Sequence, residues 1–166
     1  MSPSIGSILA LTEFFYGLSD AHLDLISGVC ELETYQKGQV LIQERERSDE
    51  LYVIGDGTVE VLINPSLVMA EQQTLEPVVV AELLQGQAFG EMSLVDQGIR
   101  SATVRVSEDN TTVLRLSRVR LMKLCDEHTD LGYKLMKNLA IDLATKMRNT
   151  GLSLRQYELM LSKSKK

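Results

Sequence analysis

Gly86-Gln87-Ala88-Phe89-Gly90-Glu91-Met92-Ser93-Leu94-Val95-Asp96-Gln97-Gly98-Ile99-Arg100-Ser101-Ala102-Thr103 is the stretch on which the fold and its chemistry turn. A glycine-led turn enters about one helical turn, a loop follows, and an arginine then opens a β-branched run. The start of a helix presents unpaired N–H groups and a positive dipole end, which suit phosphate oxygens. Arg100 adds a permanent charge and a two-pronged set of donors for the same anion. Glu91 is a poor phosphate ligand but a good acceptor for a hydroxyl, so the pair describes a ligand carrying both a phosphate and a sugar. The competing reading is that Glu91 and Arg100 simply pair with each other, since two charges in a mostly apolar turn are costly unless both are satisfied.

On either side of this stretch lie apolar runs of strand length, bounded by turn residues: 29–35, 39–43, 50–55, 58–63, 77–83, 100–106 and 111–116. Thr58-Val59-Glu60-Val61-Leu62-Ile63 and Ala102-Thr103-Val104-Arg105-Val106 show β-branched alternation. Turns fall at Lys37-Gly38, Gly55-Asp56-Gly57, Gln85-Gly86 and Glu108-Asp109-Asn110. Short strands spaced in this way predict a mainly β fold, a β-roll or jelly roll, over residues 29–117. Two short helices are predicted within 8–28, the second capped at Ser19-Asp20. Helical periodicity returns over 118–162. Leu121, Leu124 and Cys125 form one stripe, and Leu131, Leu135, Leu139, Leu143 and Met147 recur every four residues. Asn149-Thr150-Gly151 predicts a break, followed by a short segment bearing Leu154, Tyr157 and Leu161. Residues 1–166 thus read as one domain.

The quoted stretch resembles the phosphate-binding cassette of the cyclic nucleotide-binding domain family. The family pattern is matched by Phe89-Gly90-Glu91-Met92-Ser93-Leu94 and, after a short loop, by Arg100-Ser101-Ala102-Thr103. Phe14-Phe15-Tyr16-Gly17-Leu18-Ser19 is similar to the family's opening helical motif. Leu51-Tyr52-Val53-Ile54-Gly55-Asp56-Gly57-Thr58-Val59-Glu60-Val61 is similar to its strand-turn-strand. The resemblance implies a double-stranded β-helix with a C-terminal helical lid, and cAMP or cGMP as ligand. It implies that Arg100 pairs with the cyclic phosphate and that Glu91 accepts the ribose 2′-hydroxyl. The main chain of Gly90, Met92, Ser93, Ser101 and Ala102 would line the cradle. Ser101 suits either nucleotide. Met147, Asn149, Thr150 and Tyr157 are the candidates for capping the base.

Three departures stand out. Arg45-Glu46-Arg47-Ser48 occupies a loop where the family usually has glycines, so any position there needing a positive φ is strained. Ile99 replaces a frequent proline, and residues 64–76 form a long polar connection.

Composition narrows the rest. Residues 1–117 carry 18 Asp/Glu against 6 Lys/Arg, and residues 118–166 carry 5 against 11, so an acidic body meets a mildly basic tail. Direct DNA binding is not expected of such a body, and the chain past the long helix is too short for a helix-turn-helix. No apolar run is of membrane-spanning length and no basic leader opens the chain, so a cytoplasmic protein is expected. Cys30 and Cys125 lack metal-site spacing, and His22 and His128 are too few for a metal-dependent β-roll enzyme. The expectation is a stand-alone regulatory module without catalysis or cofactor. It would signal through its C-terminal helices to an effector protein or to a second copy in a homodimer. The alternative is a roll that has lost its ligand and serves protein–protein interaction.

Overall fold

The structure, a computed structural model, describes residues 3–67, 76–96 and 98–164, the side chains of Tyr157, Leu161, Lys163 and Ser164 apart. Helix α1 (Ile5–Leu11) leads through a 3₁₀ turn at Glu13–Phe15 to α2 (Asp20–Ser27). Ser19 caps α2 by accepting from the His22 N–H at 3.3 Å. Strands β1 (Cys30–Tyr35), β2 (Val40–Ile42), β3 (Leu51–Asp56), β4 (Val59–Ile63), β5 (Val78–Leu83), β6 (Ala88–Phe89), β7 (Thr103–Val106) and β8 (Thr111–Leu116) follow. A single turn, α3 (Ser93–Asp96), separates β6 from β7, and α4 (Arg118–Glu127) and α5 (Thr129–Ser164) close the chain. The strands pair antiparallel in two sheets, ordered β1-β8-β3-β6 and β2-β7-β4-β5.

The β-roll is therefore as expected, with one strand added. The two-residue β6 is too short to carry a periodic signal, and pairing with β3 is what defines it. Strands β3 and β8 explain why parts of the sequence are apolar without alternation. Leu51, Val53, Leu114 and Leu116 face a cluster shared with the helices, whereas Tyr52, Ile54 and Val113 face the interior of the roll. A sheet covered on both faces needs apolar residues at every position. Strand β7, covered on one face, keeps its alternation: Val104 and Val106 are buried while Thr103 and Arg105 are not.

The C-terminal helix differs from expectation. No break occurs at Asn149-Thr150-Gly151, and α5 runs unbroken for 36 residues, about 54 Å at 1.5 Å per residue. The hydroxyls of Thr145, Thr150 and Ser153 each donate to the carbonyl one turn back, so these residues turn their competing groups onto the helix itself. A lone glycine costs a helix only about 1 kcal/mol, too little to end one. Leu131, Leu135 and Leu139 are fully buried against α4 and the N-terminal elements, worth roughly 1.5–3 kcal/mol each. Close approach is needed to achieve this. A Cβ on Gly132 would lie 2.7 Å from the Cys125 carbonyl oxygen. Asn138 then donates to the carbonyls of Phe14 and Tyr16 at 3.0 and 2.8 Å, and His22 Nε2 meets Asp130 at 2.8 Å.

Candidate functional site

The cradle forms where β6 ends and β7 begins. Phe89 leaves β6 stacked on Tyr52, with ring centroids 5.1 Å apart. Gly90 turns the chain with φ +76°, and a Cβ there would lie 2.7 Å from Arg100 Nη1 and 2.8 Å from the Glu50 carbonyl oxygen. No other residue satisfies both conditions. The chain then winds through α3, whose Leu94 is buried beside the helices. After the loop, the Arg100 N–H donates to the Glu46 carbonyl at 2.9 Å, and its own carbonyl accepts from the Arg45 N–H at 2.8 Å. Arg45 adopts φ +69°, so the turn keeps the left-handed geometry that glycine would fill at lower strain.

Arg100 is 7% exposed. Its Nε donates to the Ser48 hydroxyl at 2.9 Å and its Nη2 to the Glu50 carbonyl at 2.7 Å. Nη1 donates to the Gly90 carbonyl and the Ser93 hydroxyl at 3.1 and 3.2 Å. All four acceptors are neutral, and among the described residues no carboxylate pairs with the guanidinium. Around it, the main-chain N–H groups of Glu91, Met92, Ser93, Ser101 and Ala102 donate to no described protein group. Ser93 is buried, and Met92 and Ser101 are exposed.

Glu91 is buried but does not pair with Arg100, so the competing ion-pair reading fails. Its partner comes from the far end of the sequence. Lys146 of α5 places Nζ 2.8 Å from Glu91 Oε1 and 2.9 Å from Asp142 Oδ2. Burial disfavours the Lys146 ammonium, but the two carboxylates outweigh it and hold its pKa above the ordinary lysine value.

The structure thus brings Arg100 onto Gly90 and Ser93, with Glu91 and Met92 between those two in the chain and Ser101 and Ala102 following the arginine. Of the base-capping candidates, Met147, Asn149 and Thr150 are exposed on α5, and the Tyr157 side chain lies outside the described residues. Lys146, Ser48 and the Glu50 carbonyl were not foreseen. Asp142 and Lys146 at i and i+4, flanking the leucine stripe, are the one local sign of the first. The distant Ser48 and Glu50 leave none.

A groove of about 250 Å³ opens beside the end of this stretch, lined by Val40, Gln43, Glu44, Asn64, Thr103 and Arg105 among others. Its cation is already paired, Arg105 Nε lying 2.7 Å from Glu60 Oε1. Among the described residues no cluster of His, Cys, Asp or Glu could hold a metal, and no helix is long and apolar enough to cross a membrane.

Comparison with known proteins agrees with this fold. Residues 32–128 match the model of the cyclic nucleotide-binding domain. The chain is 30% identical over 140 residues to the cyclic AMP receptor protein of Thermus thermophilus, covering 84% of this chain and 59% of that protein. It is 32% identical over 93 residues to a cGMP-dependent protein kinase of Eimeria tenella, covering 55% of this chain and 8% of the kinase. Among solved structures, the catabolite activator protein of Thermus thermophilus superposes with a TM-score of 0.72 at 26% identity, over 89% of this chain and 63% of that one. The regulatory domain of Toxoplasma gondii PKA, crystallised with cAMP, shares the fold with a TM-score of 0.66 at 19% identity, over 87% of this chain and 49% of that one. The curated relatives named here are longer proteins, of which this chain spans 8% and 59%. With the family model matched over more than half of the chain and both sheets and the helical flanks in agreement, this chain belongs to the cyclic nucleotide-binding domain family.

Proposed function

We propose that the chain is a non-catalytic regulatory module that binds cAMP or cGMP in the cradle of residues 86–103. The observation that carries this reading is Arg100, a buried cation that among the described residues meets only neutral acceptors, beside main-chain N–H groups that donate to no described protein group. A buried charge held only by neutral oxygens is costly, and a phosphate supplies both the missing charge and acceptors for those donors. Arg100 then pairs with the cyclic phosphate, and the main chain of Gly90, Met92, Ser93, Ser101 and Ala102 cradles it. Glu91 accepts the ribose 2′-hydroxyl. Relatives named for cAMP and for cGMP support the ligand class and leave the base open.

Signalling follows as a shift between two dockings of the C-terminal helices, which requires the ligand to favour one of them. Leu94 of α3 shares its cluster with Leu121 of α4 and Leu135 of α5, and Arg118 Nε donates to the Leu94 carbonyl at 3.1 Å. Any ligand that reshapes α3 therefore acts on the packing of both helices. The output passes through α5 to an effector protein or to a second copy.

Calorimetric titration with cAMP and cGMP in parallel tests the reading. Binding at micromolar concentrations or tighter is expected for at least one. Arg100→Ala should weaken it by roughly 30-fold or more, since stranding one partner of a desolvated charge pair costs about 2–5 kcal/mol. No heat with either nucleotide, or equal affinity in the variant, rejects it.

A further inference from the structure

The two buried charges of the cradle are treated in opposite ways. Arg100 is surrounded by neutral oxygens from residues 48–50 and 90–93. Glu91 instead receives a full countercharge from Lys146, halfway along α5. The Glu91 side chain is 8% exposed and that of Lys146 is 45% exposed. A carboxylate so buried is costly without a partner. Asp142, one turn earlier on the same helix, steers the ammonium toward it. The contact also sits where, among the described residues, α5 passes from buried to exposed. Leu139 is 2% exposed and Leu143 still packs against the core, whereas Met147 is 76% exposed.

We infer that Lys146 is an intramolecular stand-in for the ligand's hydroxyl, latching α5 across the cradle by occupying Glu91. A ligand whose hydroxyl takes Glu91 displaces Lys146 and loosens the helix where it leaves the body of the protein, around residues 142–146. The displacement rests on the role proposed above for Glu91; the latch in the ligand-free chain does not. Lys146 thereby lowers the apparent affinity for ligand, because binding must first break the pair.

The test compares the full chain with Lys146→Met, which keeps the apolar stem and removes the charge, and with Lys146→Arg, which restores it. Without ligand, amide hydrogen exchange across residues 138–150 should quicken in Lys146→Met and return toward wild type in Lys146→Arg. With ligand, the tighter-binding of cAMP and cGMP should bind Lys146→Met about 3- to 10-fold more tightly, the scale expected for releasing a partly exposed ion pair. Unchanged exchange overturns the latch. Equal or weaker binding by Lys146→Met overturns the displacement, and weaker binding assigns Lys146 to the ligand as a direct contact. Absence of binding by every variant rejects the nucleotide reading instead, and the exchange measurement, which uses no ligand, still decides the latch.

Discussion

The two halves of α5 carry the same kind of sequence and meet different fates. Along the first half, Leu131, Leu135 and Leu139 are buried, Gly132 presses against α4, and Asn138 is tied to the 3₁₀ turn. Along the second, Met147, Leu154 and Met160 are 76%, 63% and 70% exposed. Nothing in the local pattern marks the boundary, because helical periodicity reports which residues share a face and not what covers that face. The body of the protein ends beneath the helix near Lys146, whose ammonium pairs there with Glu91. A helix docked at one end and projecting at the other suits a moving part, since local stability follows the number of buried contacts.

The contrast between the halves can be broken at several points. Leu135→Ala should have the largest effect, a loss of about 2–5 kcal/mol in chemical denaturation, because it opens a cavity where α5 meets the core. A loss below about 1 kcal/mol would mean that the docked half is no better packed than the projecting one. Gly132→Ala comes next. Helix propensity favours alanine by about 1 kcal/mol, but forcing a methyl against the backbone carbonyl of Cys125 costs about 1–3 kcal/mol. A net destabilisation of roughly 1 kcal/mol is expected, and a stabilised variant would show that α4 and α5 are free to separate. Met147→Ala should be the smallest, within about 0.5 kcal/mol at low protein concentration. A larger cost that grows with protein concentration would show that a second copy covers the projecting half, and analytical ultracentrifugation of the same variant would confirm it.

Much of this molecule was legible in advance. The mainly β core followed from short apolar runs and turn residues, and the helical flanks from periodicity. The cassette was legible because its elements are contiguous: Gly90, Glu91 and Arg100 lie within eleven residues, and the turn that joins them demands particular side chains. The strain expected in the 45–48 loop is also present, at Arg45. The break expected at 149–151 was an error of weighting. A lone glycine and two polar residues weaken a helix, but here the hydroxyls bond back onto it.

By itself, then, the sequence determined the roll and the flanking helices and marked out the candidate cradle residues, because each depends on local conformation or on spacing within one segment. Tertiary structure alone decided who partners whom. It gave Arg100 neutral neighbours from a loop fifty residues earlier, and it gave Glu91 a lysine fifty-five residues later instead of Arg100. Charge pairing acts through space, and no pattern along the chain records which distant groups the fold will bring within 3 Å.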